Sequence, residues 1–267
     1  MEVPRFSRLM TETLRVLERS DALFREHWTR PRVIRHKGVI DLVTETDVAV
    51  ENFLKQNLKD VEPSASFLAE ESVAEPGCAV PAGRCWIIDP VDGTTNFAHG
   101  IPLTATSVAL WDEGAVQFGV VTVPVWGQVF AAERGRGAWL NGERLAVSRV
   151  DACAEALVET GFPYTVREDM PFVLHDLKML LSHCVGVRRG GSAALDLCWV
   201  AAGHFDGYFE CGLKPWDVAA GWLMVEEAGG RVSARDGAPY VFHGPILATN
   251  GLIHDEMQRI LAPGRVD

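Results

Sequence analysis

Residues 86–97, WIIDPVDGTTNF, carry three apolar residues straight into two acids, Asp89 and Asp92, set three positions apart around Pro90 and followed by Gly93. The pattern predicts a short buried strand, 85–89, that ends in a tight turn. Pro90 fixes its own φ and restricts the residue before it, and Gly93 permits a sharp reversal. Such a turn aims both carboxylates at one point. Two close carboxylates repel or share a proton unless a cation lies between them. Hard divalent ions such as Mg²⁺ take oxygen ligands of this kind, and the Val91 carbonyl can serve as a neutral one. The hydroxyls of Thr94 and Thr95 and the amides of residues 93–95 follow, where a helix is expected to open. Amides at a helix N-terminus are natural donors to a phosphate.

Working outward, carboxylates mark the edges of three more apolar elements: Asp47 in VTETD, Glu70 and Glu71 in LAEES, and Asp217 in PWDVAAG. An acid before a helix is commonly a cap, a reading open for both Asp47 and Asp217. Glu70 or Glu71 can equally be solvated at a strand end. Other site chemistries find no support. The chain has no GxxxxGK[ST], HExxH or GxSxG, RGGSAAL does not fit GxGxxG, and the eight histidines are scattered. A phosphoryl-accepting Asp89 would call for a DxD spacing, whereas the acids here are DxxD.

The layout is mixed α/β. Apolar residues at helical spacing predict a first helix over residues 6–28, and Thr46 or Asp47 can cap a second that buries Val50, Phe53, Leu54 and Leu58. Residues 66–72 read as a short strand. The Val-, Phe- and Trp-rich stretch from 106 to 147, with Asn141-Gly142 as a hairpin signal, predicts an antiparallel meander. Beyond it, strands near 155–160, 185–189, 205–211, 231–234 and 245–249 alternate with helices near 168–182, 192–202, 216–228 and 253–261. Gly203 and Gly229-Gly230 fit helix stops. No repeat, low-complexity tract or linker interrupts the chain, so one catalytic domain over 1–267 is expected, with lobes of about 1–140 and 141–267.

The totals bound the function. A chain of 267 residues, 48% hydrophobic and 23% charged, is long enough for a sizeable core. A formal charge of −11 argues against a surface built for nucleic acid. No apolar run suggests a signal peptide or a membrane span. Six cysteines without a CxxC pair read as reduced thiols of a cytoplasmic protein.

Together, WIIDPVDGTTNF and GLKPWDVAAGWLMVEEAGG (212–230) resemble the two signatures of the inositol monophosphatase family. DLVTETD (41–47), LAEES (68–72) and RRGGSAALDLCWVAAGHFDGYFE (188–210) fall where that family has its other motifs. The resemblance implies a layered α-β-α-β-α sugar-phosphatase sandwich of the inositol monophosphatase and fructose-bisphosphatase type. It also implies a homodimer and Mg²⁺-dependent, often Li⁺-inhibited hydrolysis of a small phosphate monoester, with two to three ions per site. Glu70, Asp89 and the Val91 carbonyl resemble its first metal site; Asp89, Asp92 and Asp217 its second; Glu70 also its weaker third. Asp47 and Thr94 resemble the pair that orients the attacking water, with Glu70 beside them. The amides of Gly93 and Thr94 resemble the phosphate contacts. Gly191, Ser192, Ala193 and Glu210, with Asp92 and Asp217, lie where members meet sugar or inositol hydroxyls. Lys37, in a loop the family closes over its site, can meet the phosphate or remain solvated. Ala69 replaces a common glycine, and Lys214 either pairs with an acid or adds positive charge to the mouth. Inositol 1-phosphate is the leading substrate, with histidinol phosphate, fructose 1,6-bisphosphate and nucleotide phosphates as alternatives. Some bacterial relatives bind the transcription machinery, so such a partner is the alternative of another class.

Overall fold

The computed structural model describes residues 4–30, 34–36, 42–73 and 80–262. Lys37, its loop and Cys78 lie outside the described residues. Helix α1 (Arg8–Trp28) starts at Ser7, whose hydroxyl accepts from Met10 N. Strands β1 (Ile34–His36) and β2 (Leu42–Thr44) form an antiparallel pair and lead into α2 (Glu45–Val61). β3 (Ser66–Ala69) ends in a 3₁₀ turn over Glu70–Ser72, and β4 (Cys85–Asp92) precedes α3 (Thr94–His99). A meander follows: β5 (Ala105–Asp112), β6 (Ala115–Val123), β7 (Gln128–Glu133), β8 (Gly137–Leu140) and β9 (Glu143–Arg144). The remainder alternates: β10 (Leu157–Thr160), α4 (Met170–His183), β11 (Gly186–Arg188), α5 (Ala193–Ala201), β12 (Gly207–Glu210), α6 (Pro215–Glu227), β13 (Arg231–Ala234), β14 (Ile246–Thr249) and α7 (His254–Leu261).

Strands β3 to β9 make one sheet in chain order; the other runs β11-β10-β12-β14-β13. Side-chain alternation sorts the layers. On one face of the larger sheet, Trp86, Ile88, Val108 and Phe118 pack with Leu17 and Phe24 of α1 and Leu54 and Leu58 of α2. On the other, Cys85, Ile87, Val121 and Phe130 pack with Leu197 of α5 and Leu223 and Met224 of α6. Tyr208 and Ile246 of the smaller sheet join that same core. The far face of the smaller sheet, with Val158, Phe209 and Leu247, is closed by Leu180 of α4 and Met257 and Ile260 of α7. The order is therefore helix pair, sheet, helix pair, sheet, helix pair, as the resemblance implies. β4 is buried along its whole length, which is why its sequence is nearly continuous in apolar residues before the acids.

Several boundaries differ from expectation. Thr44, not Thr46 or Asp47, caps α2, and Asp47 occupies the third helical position, where its carboxylate reaches back to Thr44 N. The strand expected over 66–72 stops at Ala69 and tightens into the 3₁₀ turn. β4 does not end at Asp89 but runs to Asp92. The meander is mostly core. Ala69, in place of a glycine, is buried at the end of β3.

Candidate active site

In a regular strand, residues three apart point to opposite faces. Asp89 and Asp92 do not, because β4 is bulged. Asp89 pairs with Ser107 but Asp92 with Ala105, so β4 spends three residues where β5 spends two. The extra residue inverts the alternation. Before it, Trp86 and Ile88 face α1 and α2; after it, Val91 does. Asp92 is thereby returned to the α5/α6 side that Asp89 already faces. Pro90, which cannot donate to a ladder, is tolerated at the bulge, and its carbonyl accepts from the Thr106 hydroxyl at 2.9 Å. The turn predicted at 89–92 thus begins only at Gly93, where φ is +86°. A Cβ there would lie 2.8 Å from the Leu103 carbonyl and 3.1 Å from that of Gly191, so the chain reverses between two backbones.

The acids meet the starts of the middle-layer helices. Asp92 Oδ2 accepts from the Ser192 hydroxyl and from Ala194 N, both at 2.7 Å. Asp217, at the third position of α6, accepts from Lys214 N at 2.6 Å. Asp89 Oδ1 accepts from Val91 N at 3.0 Å. Thr94 Oγ1 lies 3.0 Å from Asp47 Oδ1 and 2.9 Å from the Val91 carbonyl. With one hydrogen it serves one of them at a time and keeps lone pairs to accept from water. Asp47 therefore completes the cap of α2 with one oxygen and meets Thr94 with the other. Glu70 opens its 3₁₀ turn right after β3; the buried Glu51 carboxylate holds that turn by accepting from Glu71 N at 2.8 Å.

Electrostatics argue for a cation. Burial, then repulsion from Glu70, Asp92, Asp217 and Asp47, raises the Asp89 pKa well above the usual carboxylate range. Asp217 is raised by burial and by Asp92 and Glu70. Burial lifts Asp92 to about 6 against its hydrogen bonds from Ser192, Ala194, Ala193 and Gly93. Asp47 is raised by burial against bonds from Thr44 and Thr94. Among the described residues, no ion pair joins Asp89, Asp92 or Asp217 to a basic side chain. All-oxygen donors, mutual repulsion and the lack of a paired base among the described residues fit a hard divalent ion. No three His, Cys, Asp or Glu side chains among the described residues form a finished cage, so such an ion would also use the Val91 carbonyl and water.

The expected substrate strip borders these acids. Gly191 follows β11, and Asn96 Nδ2 of α3 donates to the Gly190 carbonyl at 2.9 Å, fixing the strip to the turn. Ser192 is buried, and its hydroxyl is committed to Asp92; Ala193 is buried at the start of α5. Gly93 N–H also lies against the Asp92 carboxylate. Glu210 ends β12, accepts from the Tyr208 hydroxyl, and is lifted by burial to about 7, with Arg189 opposing. Gly161 makes room for it: a Cβ there would lie 2.0 Å from Glu210 Oε2. Lys214 contributes its main chain to Asp217 and forms no ion pair among the described residues.

Two buried acids were not singled out in the sequence. Glu159 of β10 and Asp196 of α5 face each other beneath Gly190. Their signal was present, since Asp196 is the one charge in the apolar helix SAALDLCWVAAG.

The model of the inositol monophosphatase family matches residues 10–264. The chain is 41% identical over 220 residues to the Nus factor SuhB of Pseudomonas aeruginosa, covering 81% of each. It is also 41% identical over 218 residues to the inositol-1-monophosphatase of Mesorhizobium japonicum, again covering 81% of each. Among solved structures, the extragenic suppressor protein SuhB of Bartonella henselae superposes with a TM-score of 0.90 at 35% identity, covering 97% of this chain and 100% of that one.

Proposed function

The chain belongs to the inositol monophosphatase family, and we propose that it is a Mg²⁺-dependent phosphatase that hydrolyses inositol 1-phosphate to inositol and phosphate. The observation that carries this reading is the bulge that turns Asp89 and Asp92 to one side, facing Asp217. Asp89, Asp92, Asp217, Glu70 and the Val91 carbonyl would hold two to three ions. When bound, Mg²⁺ lowers the pKa of a water and offsets charge on the phosphoryl and leaving oxygens.

The chain's own residues do the rest. Thr94 Oγ1, its hydrogen given to Asp47 or the Val91 carbonyl, accepts from the attacking water and fixes its direction. The main-chain N–H of Thr94 meets the phosphate, with that of Gly93 shared between the phosphate and the Asp92 carboxylate. Glu210 accepts from a substrate hydroxyl, and Gly191 and Ala193, with Ser192 behind Asp92, shape the polyol side. Water attack requires no covalent intermediate on the protein. The test is phosphate release from inositol 1-phosphate, histidinol phosphate, fructose 1,6-bisphosphate and 2′-AMP, with Mg²⁺, with chelator and with Li⁺. Turnover led by inositol 1-phosphate and abolished by chelator supports the proposal; metal-independent release, or another leading substrate, overturns it.

A homodimer is part of this reading. Phe172, Leu174 and Leu181 of α4, with Val185 beyond it, are exposed apolar residues; they, rather than the buried meander, support an interface. No described helix is long and apolar enough to cross a membrane. The described cysteines form no disulfide, which supports a cytoplasmic location. A transcription-machinery partner is the second reading, favoured by relatives named Nus factor SuhB. Pull-down from lysate with wild type and Asp89→Asn tests it: a partner held equally by both would show binding independent of catalysis, and none held by either would remove it.

A further inference from the structure

Cys153 and Cys184 lie in the outer core that α4 and α7 close over the smaller sheet. Cys153 opens the 3₁₀ turn before β10, and Cys184 caps α4, its N–H donating to the Leu180 carbonyl at 2.8 Å. Val185 N donates to the Ala156 carbonyl at 3.0 Å, and β10 and β11 pair in parallel with Leu157 opposite Gly186. The two cysteine-bearing segments therefore run side by side, and their thiols are hydrogen-bonded to each other.

Their surroundings differ. Cys153 is fully buried; its N–H donates to Glu256 Oε2 at 2.9 Å, and its thiol faces the same carboxylate. Cys184 is only half-buried. The hydrogen bond from Cys153 holds the Cys184 thiol below its ordinary range, outweighing burial and the charges of Glu256 and Asp206. The same bond, burial and Glu256 push Cys153 up. One sulfur is accessible and the other buried, which is the division between an attacking and a resolving thiol.

We propose that Cys153 and Cys184 are a redox-active dithiol that closes to an intramolecular disulfide by exchange with a low-molecular-weight disulfide. The Cys184 thiolate attacks one sulfur of the small disulfide, whose S–S bond breaks and releases one thiolate, leaving a mixed disulfide on Cys184. The Cys153 proton passes to Glu256, and Cys153 Sγ attacks Cys184 Sγ, expelling the second thiolate, which takes up that proton. Two protein thiols lose two electrons, and the small disulfide is reduced to two thiols. The bond joins the end of α4 to the entry of β10, outside the acid cluster, so the proposal is independent of the hydrolase reading.

The test exposes folded full-length protein to oxidised glutathione, blocks remaining thiols with N-ethylmaleimide, and maps the peptides by mass spectrometry. The expected product joins the Cys153 and Cys184 peptides, lighter by two hydrogens than the reduced pair, and reverts with dithiothreitol. Cys153→Ser, or Cys153→Ala should the serine fail to fold, is expected to stop at glutathione on Cys184. Cys184→Ser is expected to leave Cys153 unmodified. Stable glutathione on Cys184 of the wild type, pairing of Cys184 with Cys211 or Cys78, or two thiols that remain fully alkylatable would overturn the proposal.

Discussion

The middle layer of this molecule carries two nests of buried acids, one against each sheet, and they resolve the same problem differently. In the first, Asp89, Asp92 and Asp217 come from a bulged strand and a helix start, and the hydrogen bonds they accept come from main-chain N–H groups and one serine. Those donors favour the charged form, and repulsion is left over for a cation to relieve. In the second, Glu159, Asp196 and Glu210 sit on regular elements, and Glu159 and Asp196 face each other with no donor to Asp196 from outside the pair. The Tyr208 hydroxyl donates to Glu210. As two carboxylates, Asp196 and Glu159 would leave both Asp196 oxygens without a donor; a shared proton supplies one, and Asp196 is raised well above its usual range by burial and by Glu159. Counting buried acids therefore does not identify a metal site. What separates the proposed metal site from the second nest is that its acids accept from main-chain N–H groups and a serine, whereas Asp196 accepts from none.

The sharpest break of this comparison is Asp89→Asn. Asp89 faces every other acid of the first nest, and the amide keeps its shape while removing charge. We expect turnover of inositol 1-phosphate to fall by about 100- to 1000-fold or more, the scale of losing one electrostatic stabiliser, with the fold intact by circular dichroism. Near-normal turnover would dissolve the distinction between the nests.

Next in size is the response to cation and pH, read as Tm. At about 100 times its Kd, Mg²⁺ should stabilise the wild type by about 2.7 kcal/mol, and Asp89→Asn much less. In chelator, Glu159 and Glu210 have folded pKa values of about 7, above their ordinary value of 4.5. A raised acid pKa means the folded state holds its proton more tightly, so its contribution is complete below pH 4.5 and is lost as pH rises through 7. Asp92, lifted to about 6, adds the same sign over a lower window. Tm in chelator is thus expected to fall between pH 5 and 7, and Mg²⁺ to flatten the first nest's share. A rise over that window would contradict both assignments.

Much of this was legible in the sequence, and the gaps have a common cause. The alternation of strands and helices followed from periodicity, whereas the order of the layers came from the family resemblance; Trp86, Ile87 and Ile88 fit it because each has an apolar neighbour on one face or the other. Asp89, Asp92, Asp217, Asp47 and Glu70 were found because each interrupts an apolar run at an element end. The bulge was not foreseen: Asp-Pro-Val-Asp-Gly reads as a turn locally, and only pairing with Ser107 and Ala105 shows one strand with an extra residue. Nor was the commitment of the Ser192 hydroxyl to Asp92, a contact across 100 residues. Glu159 and Asp196 were passed over because neither ends an element; their meaning exists only where β10 and α5 are packed together.

Asp196→Asn is the mirror of Asp89→Asn and should be the quietest change. Burial and Glu159 raise the Asp196 pKa well above its usual range, so a carboxamide reproduces the favoured protonated form and donates to Glu159 as the shared proton does. Stability is expected to stay within about 1 kcal/mol of wild type, the net worth of one hydrogen bond, with turnover retained. Asp196→Ala removes that donor and leaves Glu159 buried and unsatisfied, so it should cost about 1 to 3 kcal/mol. Denaturant midpoints for the pair decide the matter. If the amide is as damaging as the alanine, Asp196 must carry charge in the folded protein, the second nest must hold a cation of its own, and the two halves of the middle layer are alike after all.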